Sequence, residues 1–251
     1  LPGGPSAYAV ACQVNENSLT LVGGTDGKES QAKLMIIDSI KTSEGFAIKG
    51  LGDAVVLSAG GDVWGRTLIV GGTSDAANLA GVTKATHEIV FIDKPWKDRH
   101  WLAKRLADYP GKPFATAASA AAGSELFVFG GMNYDAEAKL PVNSSEAYAF
   151  SPEKNVWRKL SPLAVPTRGL TAVTLDEGHI YIAGGYREDF TAEAVIYDVK
   201  ADSYRKAIAL PYAAMVGLVR MGDHVYCLGG EDKKQSRTDK FFRISVAELL
   251  K

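Results

Sequence analysis

The sequence predicts an all-β chain organised as a β-propeller, and three observations carry that prediction. Five apolar segments each close on a diglycine: LTLVGG (Leu19–Gly24), TLIVGG (Thr67–Gly72), LFVFGG (Leu126–Gly131), IYIAGG (Ile180–Gly185) and VYCLGG (Val225–Gly230). Their first glycines fall at 23, 71, 130, 184 and 229, spaced 48, 59, 54 and 45 residues apart. Most copies then carry an alternating segment and an aromatic that opens a further short one, which makes each copy one four-stranded blade.

The third copy shows the frame most fully. Phe114–Ala122 is a small, apolar run suited to a crowded inner strand, and Gly123–Ser124 turns it into Glu125–Gly131. A loop runs to Ser145, Glu146–Pro152 alternates as a third strand, and Trp157 opens an outer strand with its ring between blades. The fourth copy repeats this with LTAVTLD, HIYIAGG, AEAVIYDV and SYRKAI, Tyr204 standing in the place of Trp157. In the second, TLIVGG, HEIVFID and Trp101 take these roles; in the first, AYAVACQV, LTLVGG, KLMIID and Phe46 do. The fifth has MVGLVRM, VYCLGG and KFFRIS, then ends at Lys251 with no aromatic fourth strand. Gly60–Gly61 precedes its strand instead of closing it and reads as an extended turn. Pro- and Gly-rich linkers separate the copies, giving repeats at about 1–50, 51–109, 110–162, 163–210 and 211–251 of a single domain. The period and the closing diglycine make this a kelch-type propeller. Either the ring has five blades, or a sixth is absent from the N-terminal side.

Bulk composition narrows the function. A net charge of −1, with 23% charged residues, argues against a nucleic-acid or anionic-membrane partner. No apolar run is long enough to span a membrane as a helix. The chain begins at Leu1 with neither a charged nor an apolar leader, so any targeting segment is expected to have been removed or never to have existed. Cys12 and Cys227 sit among apolar neighbours and read as buried free thiols. His87, His100, His179 and His224 lack partners at ligand spacing, so neither a metal nor a cofactor is expected. Nucleotide-binding and nucleophile-elbow motifs are absent as well.

Function is therefore sought where the repeat breaks. The residue after each diglycine is Thr25, Thr73, Met132, Tyr186 or Glu231, and only the last is charged. These positions should surround the central opening on one face. The fifth loop continues to Arg237, Thr238 and Asp239, and a carboxylate and a guanidinium six residues apart can face each other on a short loop. Such a pair is also a common surface ion pair, worth under about 1 kcal/mol, and Thr238–Asp239 can cap the start of the third strand, as Ser144–Ser145 can in another blade. Asn133 and Tyr134, and Tyr186, Arg187, Glu188 and Asp189, occupy equivalent loops as pocket-lining candidates or as ordinary loop residues.

The segment Gly230–Asp239, glycine–glutamate, five residues, arginine–threonine–aspartate, resembles one found in the sialic acid mutarotases, also called N-acetylneuraminate epimerases. The resemblance runs along nearly the whole chain when blades are taken in rotated order, as in the cyclically permuted branch of that family. Those proteins are six-bladed kelch propellers, whereas five copies are visible here. The resemblance implies a sugar-acid substrate, Glu231 as the catalytic base, Arg237 as a catalytic and substrate-carboxylate contact, and a periplasmic or exported setting. Asn133, Tyr186 and Arg187 are the remaining substrate-binding candidates. A different class of function is a non-catalytic kelch module that binds a protein or glycan partner through its loop face.

Overall fold

The structure is a computed structural model that describes residues 7–15, 18–38, 46–49, 51, 55–74, 82, 88–93 and 101–251. The chain is almost wholly β, and it is a kelch-type β-propeller. The first repeat supplies β1 (Val10–Asn15), β2 (Ser18–Val22), β3 (Lys33–Asp38) and β4 (Phe46–Lys49); the second supplies β5 (Ala59–Val63), β6 (Arg66–Val70), β7 (Glu88–Asp93) and β8 (Trp101–Asp108). The third begins with β9 (Ala118–Ala122) and β10 (Glu125–Phe129). A hairpin of β11 (Met132–Asp135) and β12 (Leu140–Asn143) follows, then β13 (Ala147–Ser151) and β14 (Val156–Lys159). The fourth is β15 (Thr171–Asp176), β16 (His179–Ala183), β17 (Ala194–Asp198) and β18 (Ser203–Lys206). The fifth has only β19 (Met215–Met221), β20 (His224–Glu231) and β21 (Phe241–Ser245), and ends in a helical turn, α1 (Val246–Leu249).

Within each blade the strands pair antiparallel in chain order, so the first strand of every repeat comes to the axis. Consecutive inner strands pack on one another: β1 on β5, β5 on β9, β9 on β15 and β15 on β19. Their middles line a central cavity of about 530 Å³. Blades are sealed by side chains from both faces of the second and third strands. Leu126 and Val128 of β10 join the core toward the second blade, while Phe127 and Phe129 join Ile180, Ile182 and Tyr197 toward the fourth. A strand buried on both faces must be apolar at every position, which is why LFVF does not alternate. Each phenylalanine fully buried there contributes roughly 1.5–3 kcal/mol.

The diglycine latches one blade to the next. In four repeats its second N–H donates to a carbonyl just before the following inner strand: Gly24 to Val55 at 2.8 Å, Gly72 to Phe114 at 2.7 Å, Gly131 to Thr167 at 2.9 Å and Gly185 to Ala214 at 3.0 Å. The approach leaves no room for a Cβ: one built on Gly130, whose φ is +64°, would lie 2.6 Å from the Thr167 carbonyl oxygen. The outer aromatics add a second link. Trp157 Nε1–H donates to the Ala107 carbonyl at 3.0 Å, and Tyr204 Oη–H to the Ser161 carbonyl at 2.8 Å, each reaching back to the preceding repeat. Phe46 and Trp101 open β4 and β8, but their side chains lie outside the described residues.

Three expectations are corrected. Gly60 and Gly61 are not a turn: they lie within β5, and the turn is Trp64–Gly65. The strand needs glycine because Ser119 of the next blade bonds both backbone groups of Gly60, at 2.9 and 2.8 Å. A Cβ there would come within 2.7 Å of Val10. The segment from Gly131 to Ser145 is not simply a loop, since β11 and β12 pair through Met132↔Asn143 and Asp135↔Leu140. Finally, the first two blades are joined by a parallel pairing of their outer strands, Ile48↔Trp101, into one eight-stranded sheet. Among the described residues the fifth blade has three strands, and Met221 is 66% and Phe241 61% exposed.

Candidate functional site

Glu231 is the last residue of β20 and pairs with Met215, the first of β19, so the backbone fixes it at the mouth of the channel where inner strands begin. The same pairing sets its four counterparts, through the bridges Ala7↔Thr25, Val56↔Thr73, Ala115↔Met132 and Arg168↔Tyr186. The five post-diglycine residues therefore do occupy one equivalent position. The loop from Asp232 to Lys240 is tied at both ends. Gly229 N–H donates to the Lys240 carbonyl at 2.8 Å, and Thr238 N–H to the Gly230 carbonyl at 3.1 Å. Tyr212 Oη–H bonds the Gly229 carbonyl at 2.7 Å, and Lys240 lies over the Tyr212 ring while pairing with Asp232 at 3.3 Å.

That closure brings Arg237 back onto Glu231. Arg237 Nη1 lies 3.0 Å from Glu231 Oε2 and also donates to the Ser236 carbonyl at 2.9 Å, while Glu231 Oε1 accepts the Gln235 N–H at 3.1 Å. The Glu231 side chain is 23% exposed and that of Arg237 is 59% exposed. One carboxylate oxygen is thus held by a cation and the other by a backbone amide, an arrangement that fixes the direction in which the carboxylate points. Thr238 also receives the Lys240 N–H at 3.4 Å, so it has a part in capping the start of the third strand, as Ser144 does for Glu146 at 3.0 Å.

The other candidates divide into two groups. Asn133, on β11, donates to the Pro113 carbonyl and borders a cavity of about 440 Å³ with Tyr134, Asn143 and Glu146. Tyr186 and Arg187 stand in the fourth blade. Arg187 is engaged with Glu193 at 2.7 Å and with Thr167 Oγ1 at 3.0 Å, both within its own neighbourhood. The Tyr186 ring carries the Arg168 guanidinium, whose Cζ is 4.5 Å from the centroid. Glu188 and Asp189 are exposed loop residues. The structure thus joins Glu231 with Arg237, while Asn143, which borders the same cavity as Asn133, donates to the Tyr186 and Arg187 carbonyls.

Sequence reasoning missed Arg168 and Asn143. Arg168 Nη1 donates to Asn143 Oδ1 at 3.0 Å, and Asn143 Nδ2 donates to the Tyr186 carbonyl at 3.2 Å. The signal was present in a neighbouring set of equivalent positions: the residues that lead into the inner strands, Ala7, Val56, Ala115, Arg168 and Met215, include one charge.

A family model, N-acetylneuraminate epimerase, matches residues 67–193, just over half of the chain. That segment holds Asn133, Asn143, Arg168, Tyr186 and Arg187, and stops short of Glu231. An N-acetylneuraminate epimerase of Salmonella enteritidis PT4 is 27% identical over 189 residues, covering 61% of this chain and 48% of the relative. N-acetylneuraminate epimerase 2 of Escherichia coli O6:H1 is 27% identical over 190 residues, covering 61% and 51%. The chain spans about half the length of the curated relatives it matches. The solved structure of YjhT superposes with a TM-score of 0.62 at 20% identity, covering 76% of this chain and 63% of that one. No helix among the described residues is long and apolar enough to cross a membrane. By the match over residues 67–193, the chain belongs to the N-acetylneuraminate epimerase family.

Proposed function

We propose that this protein is a mutarotase, interconverting the anomers of N-acetylneuraminate or a related sugar acid by acid/base opening of the pyranose ring. Glu231 takes the proton of the anomeric hydroxyl. The electron pair left on that oxygen forms the carbonyl as the ring C–O bond breaks, and the ring oxygen takes up a proton. Rotation of the open chain followed by the reverse sequence delivers the other anomer. No cofactor enters, since no electron changes hands.

The observation that carries this reading is the Glu231–Arg237 pair, 3.0 Å apart, at the one charged post-diglycine position on the channel mouth. An oriented carboxylate is what a base needs, and a positioned base contributes about 10²–10⁴-fold to rate. Arg237 orients it through Nη1, and the remainder of its guanidinium is exposed to solvent. A second reading, a loop-face module that binds a glycan or protein without turnover, draws on that same 59% exposure of Arg237. NMR exchange spectroscopy on N-acetylneuraminate separates the two: a mutarotase raises the anomer exchange rate above that of buffer, and a binder leaves it unchanged.

A further inference from the structure

The repeat is broken by charge at a second set of equivalent positions on the same mouth. Of the residues that lead into the inner strands, Ala7, Val56, Ala115, Arg168 and Met215, only Arg168 is charged, and it pairs backbone to backbone with Tyr186 just as Met215 pairs with Glu231. Arg168 and Met215 belong to adjacent blades that meet here. A Cβ built on Gly169 would meet Met215 Sδ at 2.2 Å, so the chain next to Arg168 packs against the partner of Glu231.

The Arg168 side chain is built rather than loose. Its guanidinium stacks on the Tyr186 ring at 4.5 Å, and Nη1 is held by Asn143 Oδ1 at 3.0 Å. Asn143 is itself fixed by donating to the Tyr186 and Arg187 carbonyls at 3.2 and 3.4 Å. Among the described residues no carboxylate lies within ion-pair distance of Arg168, whereas Arg158, Arg187 and Arg237 each have one. Half-burial accordingly pulls the Arg168 guanidinium down from its ordinary value, the mark of a cation with no anion beside it. A planar fork, stacked on one face and pinned at one nitrogen, keeps its other donors oriented for a planar anion and gives up little side-chain freedom on binding.

We infer that Arg168, held by Tyr186 and Asn143, is the principal anchor for the carboxylate of an anionic sugar at this mouth, with Arg237 left to orient Glu231. The inference rests on the proposed sugar-acid function for its ligand and deepens it. N-acetylneuraminate and its methyl ester, the same sugar with the charge removed, are the probes. Binding of each to the whole chain is measured by calorimetry or saturation-transfer NMR, independently of turnover. The wild type is expected to prefer the acid by at least about tenfold. Arg168→Met should erase that preference, Arg168→Lys should keep part of it, and Asn143→Leu should weaken it. Arg237→Met should leave most of it intact. Arg168→Lys retains the charge and the stem, so its fold checks that of the methionine variant by melting temperature. A preference that survives in folded Arg168→Met, or its absence from the wild type, overturns the inference. A protein that shows the Arg168-dependent preference but no anomer exchange keeps this site and loses the mutarotase reading. One that exchanges anomers with an Arg168-independent preference does the reverse.

Discussion

Gly130→Ala tests the diglycine latch between the third and fourth blades. The residue has φ +64°, and an added Cβ would stand 2.6 Å from the Thr167 carbonyl oxygen, 2.8 Å from Leu170 Cδ1 and 3.1 Å from Leu163 Cδ1. Left-handed backbone costs about 1–2 kcal/mol for a residue with a Cβ. The crowded carbonyl is the same one that accepts the Gly131 N–H at 2.9 Å, so moving it away weakens a hydrogen bond with a net worth of about 0.5–1.5 kcal/mol. Forced repacking of the two leucines adds about 1–3 kcal/mol. The total is about 2.5–6.5 kcal/mol, and at about 2–4 °C per kcal/mol for a domain of this size the melting temperature should fall by roughly 5–25 °C. Gly123→Ala is the control. It shares a positive φ of +56°, but nothing lies within 4 Å of its added Cβ, so only the backbone cost of about 1–2 kcal/mol applies. Calorimetry of the two variants should separate them clearly, and equal losses would refute the latch.

Other outcomes follow from the same contacts. Trp157→Phe leaves the Ala107 carbonyl without its 3.0 Å partner, and Tyr204→Phe does the same to Ser161; each should cost about 1–2 kcal/mol by denaturant titration, and the two should agree because the positions are equivalent. Cys12 is 2% exposed and burial pushes its thiol up to about 12, so an aromatic disulfide reagent at pH 8 should leave it unlabelled in the native protein and label it once guanidinium unfolds the chain. The Asp202 carboxylate feels burial pushing its pKa up, but the Tyr197 hydroxyl at 2.7 Å and the Ser161 N–H at 2.9 Å outweigh this and hold it below the ordinary value of 3.8. Its stabilisation is therefore complete above that value and lost as pH falls through the lowered one. The melting-temperature gap between wild type and Asp202→Asn should be widest near neutrality and narrow as pH falls below the ordinary carboxylate range.

The propeller was legible because its signal repeats. LFVFGG and its four relatives announce a strand buried on both faces and a backbone approach too close for a side chain, and both prove to be so at Leu126–Gly131. Gly60–Gly61 misled for the converse reason. Glycine usually punctuates a strand, and only the Ser119 hydroxyl of another blade, 59 residues away, explains why it sits inside one. The β11–β12 hairpin was hidden by exposed, irregular residues such as Leu140 and Val142, whose pairing is set by a register and not by an apolar pattern. The pairing within the candidate site was legible too: Glu231 and Arg237 stood out against the repeat, and the folded loop brings them to 3.0 Å. Arg168 did not stand out, because its significance lies in what surrounds it. Neither the Tyr186 ring beneath its guanidinium nor Asn143 at its edge is near it in the chain.

The central claim is that Glu231 is the base for anomer interconversion, and Glu231→Gln tests it most directly. The substitution keeps size and hydrogen-bonding capacity while removing basicity. Exchange spectroscopy on N-acetylneuraminate should show the catalysed rate falling by about 10²–10⁴-fold, with the melting temperature within a few degrees of wild type. A folded Glu231→Gln protein that exchanges anomers at the wild-type rate would contradict the account.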